Sequence, residues 1–272
     1  MNLRAEGVSF RYPSGVLALD GVNLAIPSGQ LLAILGENGA GKTTLVKLFN
    51  GLLRPAQGSV HIGDWDTAQH SPAALASRVG FLFQNPDDQL FERTLAREVA
   101  YGPRNLGASE AEVQRRVSHA LKLVGLQNMA DAHPYDLPAP QRKLLALAAT
   151  IAMDTPILVL DEPTIGQDEL GCRAISRILT DLHAMGRTLI MISHDMDFCA
   201  EHAERLVVML NGKIHLDGSP AEVLSQTKKL DEAEVAPPQL VRLAQALKMR
   251  ATPLTVDEFV DEYKQWRKKK NK

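Results

Sequence analysis

The chain has 272 residues, which is enough for one large hydrophobic core or two modest ones. Its composition, 45% hydrophobic and 23% charged, is ordinary for a folded protein. The formal net charge of −2 provides no overall attraction to a polyanion, which argues against nucleic acid as a partner.

The N-terminal residues are predicted to form antiparallel strands. Residues 3–10 and 17–26 alternate weakly between apolar and polar, with turn signals at Pro13-Ser-Gly15 and Pro27-Ser-Gly29. Tyr12 follows the first strand and could stack on an adenine ring, an interaction worth roughly 1–3 kcal/mol by analogy with bases stacked on aromatic side chains. Composition alone favours the simpler interpretation of Tyr12 as a surface residue at a strand end.

Residues 36–44, Gly36-Glu-Asn-Gly-Ala-Gly-Lys-Thr-Thr44, fit the phosphate-binding pattern G-x-x-x-x-G-K-[ST]. A predicted buried strand at 31–35 precedes them and a predicted helix at 43–50 follows, which is the context that the motif requires. The loop amides and the positive end of the helix dipole would surround a polyphosphate, with Lys42 on the β- and γ-phosphates and the Thr43 hydroxyl on Mg²⁺. The predicted binding residues are Gly36, Glu37, Asn38, Gly39, Ala40, Gly41, Lys42, Thr43 and Thr44. A glycine-rich turn before a helix, with a surface lysine, is the alternative.

The middle of the chain is predicted to be a helical insertion between two strands. Short strands are expected at 58–62 and 79–83, and the second ends at Gln84. From 94 to 152 the pattern is helical, with breaks expected at Gly102-Pro103, 107–109 and 133–140. Ser109-Glu-Ala-Glu112 is typical of a helix N-terminus.

An acidic pair follows the next predicted strand. Residues 157–160 are apolar and end in Asp161-Glu162, with Pro163 behind them. A parallel strand that delivers carboxylates at its C-terminal edge is typical of a Walker B motif, in which Asp161 would hold Mg²⁺ and Glu162 would act as general base. The alternative is a helix-capping acidic pair, and the upstream phosphate-binding motif favours the catalytic interpretation.

The remaining elements lead to a C-terminal extension. A helix at 171–185 precedes a strand at 188–192, and His194 follows that strand at the edge where α/β sheets bind ligands. Asn211-Gly212 predicts a hairpin between 205–210 and 213–216. Beyond residue 221 we expect a helix at 223–229, a polar linker at 231–238 and amphipathic helices at 240–249 and 256–266. The basic run at 267–272 is either a solvated tail or a weak contact with anionic lipid.

The cellular compartment is predicted from two absences. The chain has two cysteines, which are too few for a disulfide framework, and its N-terminus shows no secretory signal. These features predict a reducing cytoplasm. The longest apolar run, at 144–153, is too short to cross a bilayer, so any membrane role is predicted to be peripheral.

Taken together, residues 3–224 resemble the ATP-binding subunits of ABC transporters. The matching parts are the aromatic loop at Tyr12, Walker A at 36–44, the Q-loop at Gln84, Walker B at 157–162, the D-loop Ile165-Gly-Gln-Asp168 and the switch His194. The resemblance implies an α/β P-loop NTPase cassette with a RecA-like core, an N-terminal antiparallel β subdomain and a helical subdomain at about 85–152. The implied domains are an ATPase domain at 1–222 and a C-terminal helical extension at 223–272.

The same resemblance implies the ligands and the residue roles. ATP and Mg²⁺ are the expected ligands, bound between this chain and a second ATPase subunit that closes on it head-to-tail. The implied catalytic residues are Glu162, His194, Gln84 and Lys42. Nucleotide binding is implied for Tyr12, Gln84 and residues 36–44, and metal binding for Thr43, Gln84 and Asp161.

A narrower likeness is to the ATPases of energy-coupling-factor (ECF) transporters. Gln84-Asn-Pro-Asp-Asp-Gln-Leu-Phe91 and Asp161-Glu-Pro-Thr-Ile-Gly-Gln-Asp168 look like that group's Q-loop and its Walker B with D-loop. This likeness implies import of a vitamin or metal ion, dimerisation through the C-terminal helices, a transmembrane coupling protein and a substrate-binding membrane subunit. The chain would lie peripherally at the cytoplasmic face of the cell membrane, without nucleic acid. The alternatives are a conventional ABC transporter ATPase and a soluble, non-transport ABC ATPase.

One segment departs from the family. The signature motif Leu-Ser-Gly-Gly-Gln falls on Leu137-Pro-Ala-Pro-Gln141. Pro138 and Pro140 have no backbone N–H, and Ala139 lacks the hydroxyl, so few donors remain for the nucleotide of the partner subunit. We therefore expect the chain to hydrolyse its own ATP but to complete its partner's site poorly. This favours a heterodimer with a signature-intact ATPase over a homodimer with two slow sites.

Overall fold

The computed structural model describes residues 1–249 and 251–270. Within that part of the chain, no helix combines the length and apolar character needed to traverse a bilayer. The strands are β1 (Leu3–Arg11), β2 (Leu17–Ile26), β3 (Leu31–Leu35), β4 (Gln57–Ile62), β5 (Trp65–Asp66), β6 (Val79–Leu82), β7 (Ile157–Asp161), β8 (Thr188–Ile192), β9 (Arg205–Leu210) and β10 (Lys213–Gly218). The α-helices are α1 (Lys42–Phe49), α2 (Pro72–Leu75), α3 (Leu95–Asn105), α4 (Glu110–Leu123), α5 (Ala139–Ala152), α6 (Glu169–Ala184), α7 (Met196–His202), α8 (Pro220–Leu224), α9 (Thr227–Glu232), α10 (Gln239–Ala246) and α11 (Val256–Lys270).

The strands form two sheets. The N-terminal sheet is antiparallel and has the order β2-β1-β4-β5, as the alternation and turn signals predict. The second sheet has the order β10-β9-β3-β8-β7-β6, in which β9, β3, β8, β7 and β6 run parallel and β10 closes the edge as an antiparallel hairpin strand. The α/β cassette fold predicted from the sequence is confirmed.

The parallel sheet is buried on both faces. All five residues of β3 are buried, and the same is true of β7 and β8. In β3, Leu31, Ala33 and Leu35 pack into a core shared with the helices, while Leu32 and Ile34 pack into a core shared with the antiparallel sheet. Because parallel strands covered on both faces bury every side chain, these strands are continuous apolar runs in the sequence.

The parallel order brings the predicted functional residues to one edge. Gly36 directly follows β3, and Asp161 is the last residue of β7. Gln84 follows β6 after Phe83, and His194 follows β8 after Ser193. Since the carboxyl ends of parallel strands meet at the same edge of a sheet, residues separated by more than a hundred positions in sequence become neighbours.

The helical insertion contains α3, α4 and α5, and its first helix differs from the prediction. The break expected at Gly102-Pro103 is wrong, because α3 runs through both residues. A proline inside a helix costs roughly 3 kcal/mol, and tertiary packing offsets it: Pro103 is buried on the same side as Leu95 and Val99. A Cβ on Gly102 would lie 2.6 Å from Met153 Cγ, so this glycine permits close packing.

The C-terminal part packs onto the same core. The helix expected at 223–229 is instead two helices, α8 and α9, because a capping box at Ser219 and Glu222 starts α8 early and Gln226 interrupts the helical backbone. Val223, Leu224, Leu230 and other apolar residues up to Val241 belong to the helical core. The division at 222/223 stays a prediction. Of the predicted basic tail, 271–272 lie outside the described residues.

Candidate functional site

Most of the predicted binding residues line a cleft of about 310 Å³ at the carboxyl edge of the parallel sheet. The turn after β1, the loop between β3 and α1 and the ends of β6, β7 and β8 form its walls. The lining residues are Tyr12, Val16, Ala18, Asn38, Gly39, Gly41, Lys42, Thr43, Thr44, Gln84, Asp161, Glu162, Ile192 and His194. Three predicted residues are not among them: Gly36 and Glu37 line a neighbouring cleft, and Ala40 is buried.

Two glycines of the 36–41 loop have no room for a side chain. Gly36 has a φ of +140°, and a Cβ there would lie 2.4 Å from the Met209 carbonyl oxygen. Gly41 has a φ of +101°, and its Cβ would lie 2.5 Å from the Ala18 carbonyl oxygen. The loop is therefore pressed against β9 and the start of β2. This packing fixes the backbone amides around a space that suits an anion at the N-terminus of α1.

Lys42 is held over this loop by two short hydrogen bonds. Its Nζ donates to the carbonyl oxygens of Gly36 at 2.7 Å and Glu37 at 2.8 Å. Burial lowers the pKa of Lys42, and the carboxylates of Glu162 and Asp161 oppose that shift. The ammonium group thus lies between the loop and the acidic pair, where it can bind a phosphate group placed in the loop.

Asp161 lies at the end of β7, almost fully buried. Burial raises its pKa, and four neighbours oppose that shift: the cations of Lys143, Lys47 and Lys42 and a hydrogen bond from Thr43. The Asp161 carboxylate and the Thr43 hydroxyl are therefore adjacent oxygen ligands facing the cleft. Such ligands suit Mg²⁺, which takes one or two carboxylates together with oxygens of a bound phosphate.

Glu162 has an unusual backbone and an unpartnered oxygen. Its φ of +51° is in the left-handed region, which is uncommon for glutamate and concentrates at functional sites. Its Oε2 accepts from the His194 amide at 3.2 Å, whereas the buried Oε1 has no hydrogen-bond partner. The Oε1 lies 3.3 Å from His194 Nε2, close but without hydrogen-bond geometry. Burial and the charge of Asp161 raise the pKa of Glu162, so this oxygen is suited to accept a proton from a water molecule.

His194 lies next to Glu162, and its side chain is half exposed. Burial and the nearby Lys42 cation lower the pKa of His194 below the ordinary value for histidine. The imidazole is therefore mainly neutral at neutral pH, and it can donate one hydrogen bond into the cleft and accept another.

Tyr12 forms the opposite wall. Its hydroxyl lies 3.0 Å from Thr44 Oγ1, and its ring packs edge-to-face on Phe10 with centroids 5.0 Å apart. These contacts fix the ring beside the start of α1. They are compatible with either interpretation of Tyr12, so adenine stacking stays a prediction.

Lys143, a buried lysine in α5, is a site residue that was not predicted from the sequence. Its Nζ donates to the carbonyl oxygens of Phe83 at 2.8 Å, Gln84 at 2.7 Å and Asp161 at 3.1 Å. Burial lowers the pKa of Lys143 to about 8, and the Asp161 and Glu162 carboxylates oppose that shift. In the sequence, Lys143 directly precedes the long apolar run at 144–153, and this position was the signal that could have indicated it. Its partners, however, are main-chain atoms, which no pattern of side chains reveals.

The segment in place of the signature motif starts helix α5. Pro138 is the N-cap residue, no side chain caps the helix, and Pro140 occupies its first turn. Because proline has no N–H, the Ala139 and Gln141 amides remain as the free donors of this end. The N-terminus of α5 is thus present at the position of the signature motif, but most of the hydrogen-bond donors expected from that motif are missing.

The arrangement as a whole suits a magnesium-bound triphosphate. The loop amides and Lys42 face the phosphate space, Thr43 and Asp161 present oxygens beside it, and the unpartnered Glu162 oxygen lies next to both. A cradle with two glycines that admit no Cβ and a buried carboxylate oxygen without a partner are features that a purely structural loop does not need.

Comparison with known proteins agrees with this chemistry. The family model for the ABC transporter matches residues 19–165. The chain is 40% identical over 247 residues to the energy-coupling factor transporter ATP-binding protein EcfA of Methanocaldococcus jannaschii, which covers 90% of this chain and 88% of that protein. This likeness confirms the resemblance to ECF ATPases.

Solved structures show the same fold. The cbiO1 protein from Clostridium perfringens, described as part of the ABC transporter complex cbiONQ, is 32% identical with a TM-score of 0.75 over 90% of this chain and 98% of that one. A dimeric ATP-binding cassette, MJ0796, bound to ADP and Pi, is 25% identical with a TM-score of 0.74 over 80% and 98%. The chain therefore belongs to the ABC transporter family, as an ATP-binding subunit that hydrolyses ATP.

Proposed function

We propose that the chain is the energy-coupling ATPase of an ECF-type importer for a vitamin or metal ion, peripheral at the cytoplasmic face of the cell membrane. The observation that carries the proposal is the convergence of Lys42, Asp161, Glu162 and His194 on one cleft of an ABC cassette. Its likeness to EcfA over most of both chains supports the ECF type.

In this proposal each residue has one task. The loop amides and Lys42 bind the triphosphate, and Tyr12 supports the adenine. Thr43, Asp161 and Gln84 would hold Mg²⁺, which would neutralise charge on the phosphate oxygens when bound. Glu162 takes a proton from the attacking water through its unpartnered Oε1, and His194 contacts the γ-phosphate. A second ATPase subunit closes over the cleft, and closure depends on the nucleotide because the open and closed dimers bind it with different affinity.

A groove beside the helical insertion supports the link to a membrane partner. Its volume is about 660 Å³, and its lining includes Phe81, Phe83, Phe91 and Tyr101. Phe91 and Tyr101 are 60% and 47% exposed, and their rings meet edge-to-face with centroids 4.7 Å apart. Exposed paired aromatics over an apolar groove suit the apolar face of a helix. We propose that a cytoplasmic helix of the transmembrane coupling protein occupies it.

Phe91→Glu is expected to reduce recovery of the membrane partner with this chain by at least about tenfold, because it places a charge in the apolar contact. The test is co-purification from membranes of cells that make the whole transporter, with partners identified by mass. Met185→Glu, which changes an exposed apolar residue outside the groove, is the matched control. If no integral membrane protein accompanies the wild-type chain, the transporter proposal fails and a soluble ABC ATPase is favoured.

The altered signature segment yields a second expectation. Restoring Ser-Gly-Gly through Pro138→Ser, Ala139→Gly and Pro140→Gly should raise hydrolysis at the partner's site by roughly tenfold, since it returns donors for the γ-phosphate. The measurement uses an assembled complex in which Glu162→Gln silences this chain's own site. Replacing both prolines by alanine is the control for restored amides without the hydroxyl. An unchanged rate would show that the segment is not limiting, and the preference for a heterodimer would lose its basis.

A further inference from the structure

A single ammonium group joins the catalytic edge of the sheet to helix α5. The Lys143 side chain is buried, and it donates to three main-chain carbonyl oxygens at 2.7 to 3.1 Å. A lysine ammonium has three N–H donors, so the three acceptors satisfy it completely. Burying a charge is costly unless it is fully hydrogen-bonded, and this geometry meets that condition.

The three carbonyl groups belong to the ends of two neighbouring strands. Phe83 and Gln84 follow β6, Asp161 ends β7, and the strands pair up to Leu82 and Leu160. Beyond that pair the two strands are no longer paired with each other, and Lys143 bridges them there. It therefore sets the spacing between the two residues that we propose as magnesium ligands, Gln84 and Asp161.

The first turns of α5 are also tied to two other loops. The Nε of Arg142 lies 3.0 Å from the Asp87 carboxylate, as an ion pair without hydrogen-bond geometry, and this pair links the helix to the loop after Gln84. The Gln167 side chain donates to the Pro140 carbonyl oxygen at 3.0 Å, which attaches it to the loop after Glu162. Residues 137–141, the segment proposed to face the partner's nucleotide, are thus connected by side-chain contacts to this chain's own site.

We propose that Lys143 is a positioning residue that holds Gln84 and Asp161 in the arrangement that binds magnesium and transmits that arrangement through α5 to residues 137–141. The inference rests on the proposed function of the same cleft. It adds a link between the two nucleotide sites of the dimer that is carried by the hydrogen bonds of one side chain to main-chain atoms. No described hydrogen bond joins the side chain of Gln84 or Asp161 to α5.

Lys143→Met in the full-length chain tests this role, because methionine keeps the apolar stem and removes all three donors. We expect ATP binding without magnesium, measured in EDTA, to stay within about twofold of wild type. Added Mg²⁺ should no longer raise the affinity or the midpoint of thermal unfolding as it does in wild type. The kcat of the assembled complex should fall at least about tenfold, since three carbonyl groups lose their charged partner. Lys143→Arg, which keeps a cation with several donors, should recover part of the magnesium effect.

The matched control is Lys122→Met, which removes an exposed lysine from α4 in the same helical subdomain. A purely structural role for Lys143 would lower the unfolding midpoint with and without nucleotide and leave the magnesium-dependent increment unchanged. That result, or a wild-type kcat in Lys143→Met, would overturn the inference. If the wild-type chain itself did not bind ATP, the proposed function would be wrong. Failure of the proposed function can therefore be distinguished from failure of the inference about Lys143.

Discussion

Glu162→Gln is expected to abolish steady-state ATP hydrolysis, lowering kcat by at least about 10²-fold, because a positioned general base typically contributes 10²- to 10⁴-fold. Glutamine keeps the shape of the side chain and its bond from the His194 amide. It cannot take a proton at the position of Oε1, the buried oxygen that has no hydrogen-bond partner. ATP binding should stay within a few-fold of wild type, since the loop and Lys42 are untouched.

Phosphate release under saturating MgATP measures the loss of turnover, and equilibrium binding of a fluorescent ATP analogue measures the retained affinity. Glu201→Gln, an exposed carboxylate at the end of α7, removes the same charge away from the cleft and should behave as wild type. Full turnover in Glu162→Gln would remove this residue from the role of base. His194 would then be the remaining candidate next to the γ-phosphate.

Lys42→Ala is expected to weaken ATP binding by roughly 10- to 10²-fold. The lost ammonium is buried, and a charge-assisted contact to phosphate contributes about 1.5–3 kcal/mol on its own. Its removal also takes away one of the cations that interact with the Asp161 and Glu162 carboxylates. The affinity for ATP and for ADP should fall together, because both nucleotides place a phosphate in the same loop.

Isothermal titration of the purified chain with MgATP and MgADP checks this result. Lys228→Ala, which changes an exposed lysine in α9, is the control for general loss of positive charge. Unchanged affinity in Lys42→Ala would contradict the assignment of residues 36–44 as the phosphate loop. Circular dichroism of the variant separates lost binding from lost folding, since the Lys42 side chain also bonds Gly36 and Glu37.

The sequence predicted the parts of the site that depend on local pattern. The phosphate loop at 36–44 and the acidic pair at 161–162 are contiguous motifs between apolar strands, so the chain itself brings their residues together. The edge of a parallel sheet then unites them with Gln84 and His194, as the strand pattern allows. His194 alone carried little information, because a histidine after a strand is ordinary; its proposed role came from the family resemblance.

The features that were missed depend on tertiary contacts. Pro103 continues α3 because its packing offsets a local cost, and local propensity could not reveal that balance. The hydrogen bonds of Lys143 go to main-chain carbonyl groups at the ends of β6 and β7, and main-chain acceptors cannot be recognised from residue types. The unpartnered oxygen of Glu162 and its left-handed backbone are likewise consequences of the assembled edge.

The close approach of Gly36 to Met209 and of Gly41 to Ala18 has a consequence for the energetics of ligand capture. A flexible glycine-rich loop would lose conformational entropy on each binding event and so weaken the nucleotide's affinity. Here the shape is imposed by packing against β9 and β2, so that entropy is lost once, when the chain folds. The loop is therefore preorganised, and nucleotide binding does not carry the loss of conformational entropy that its glycine content alone would suggest.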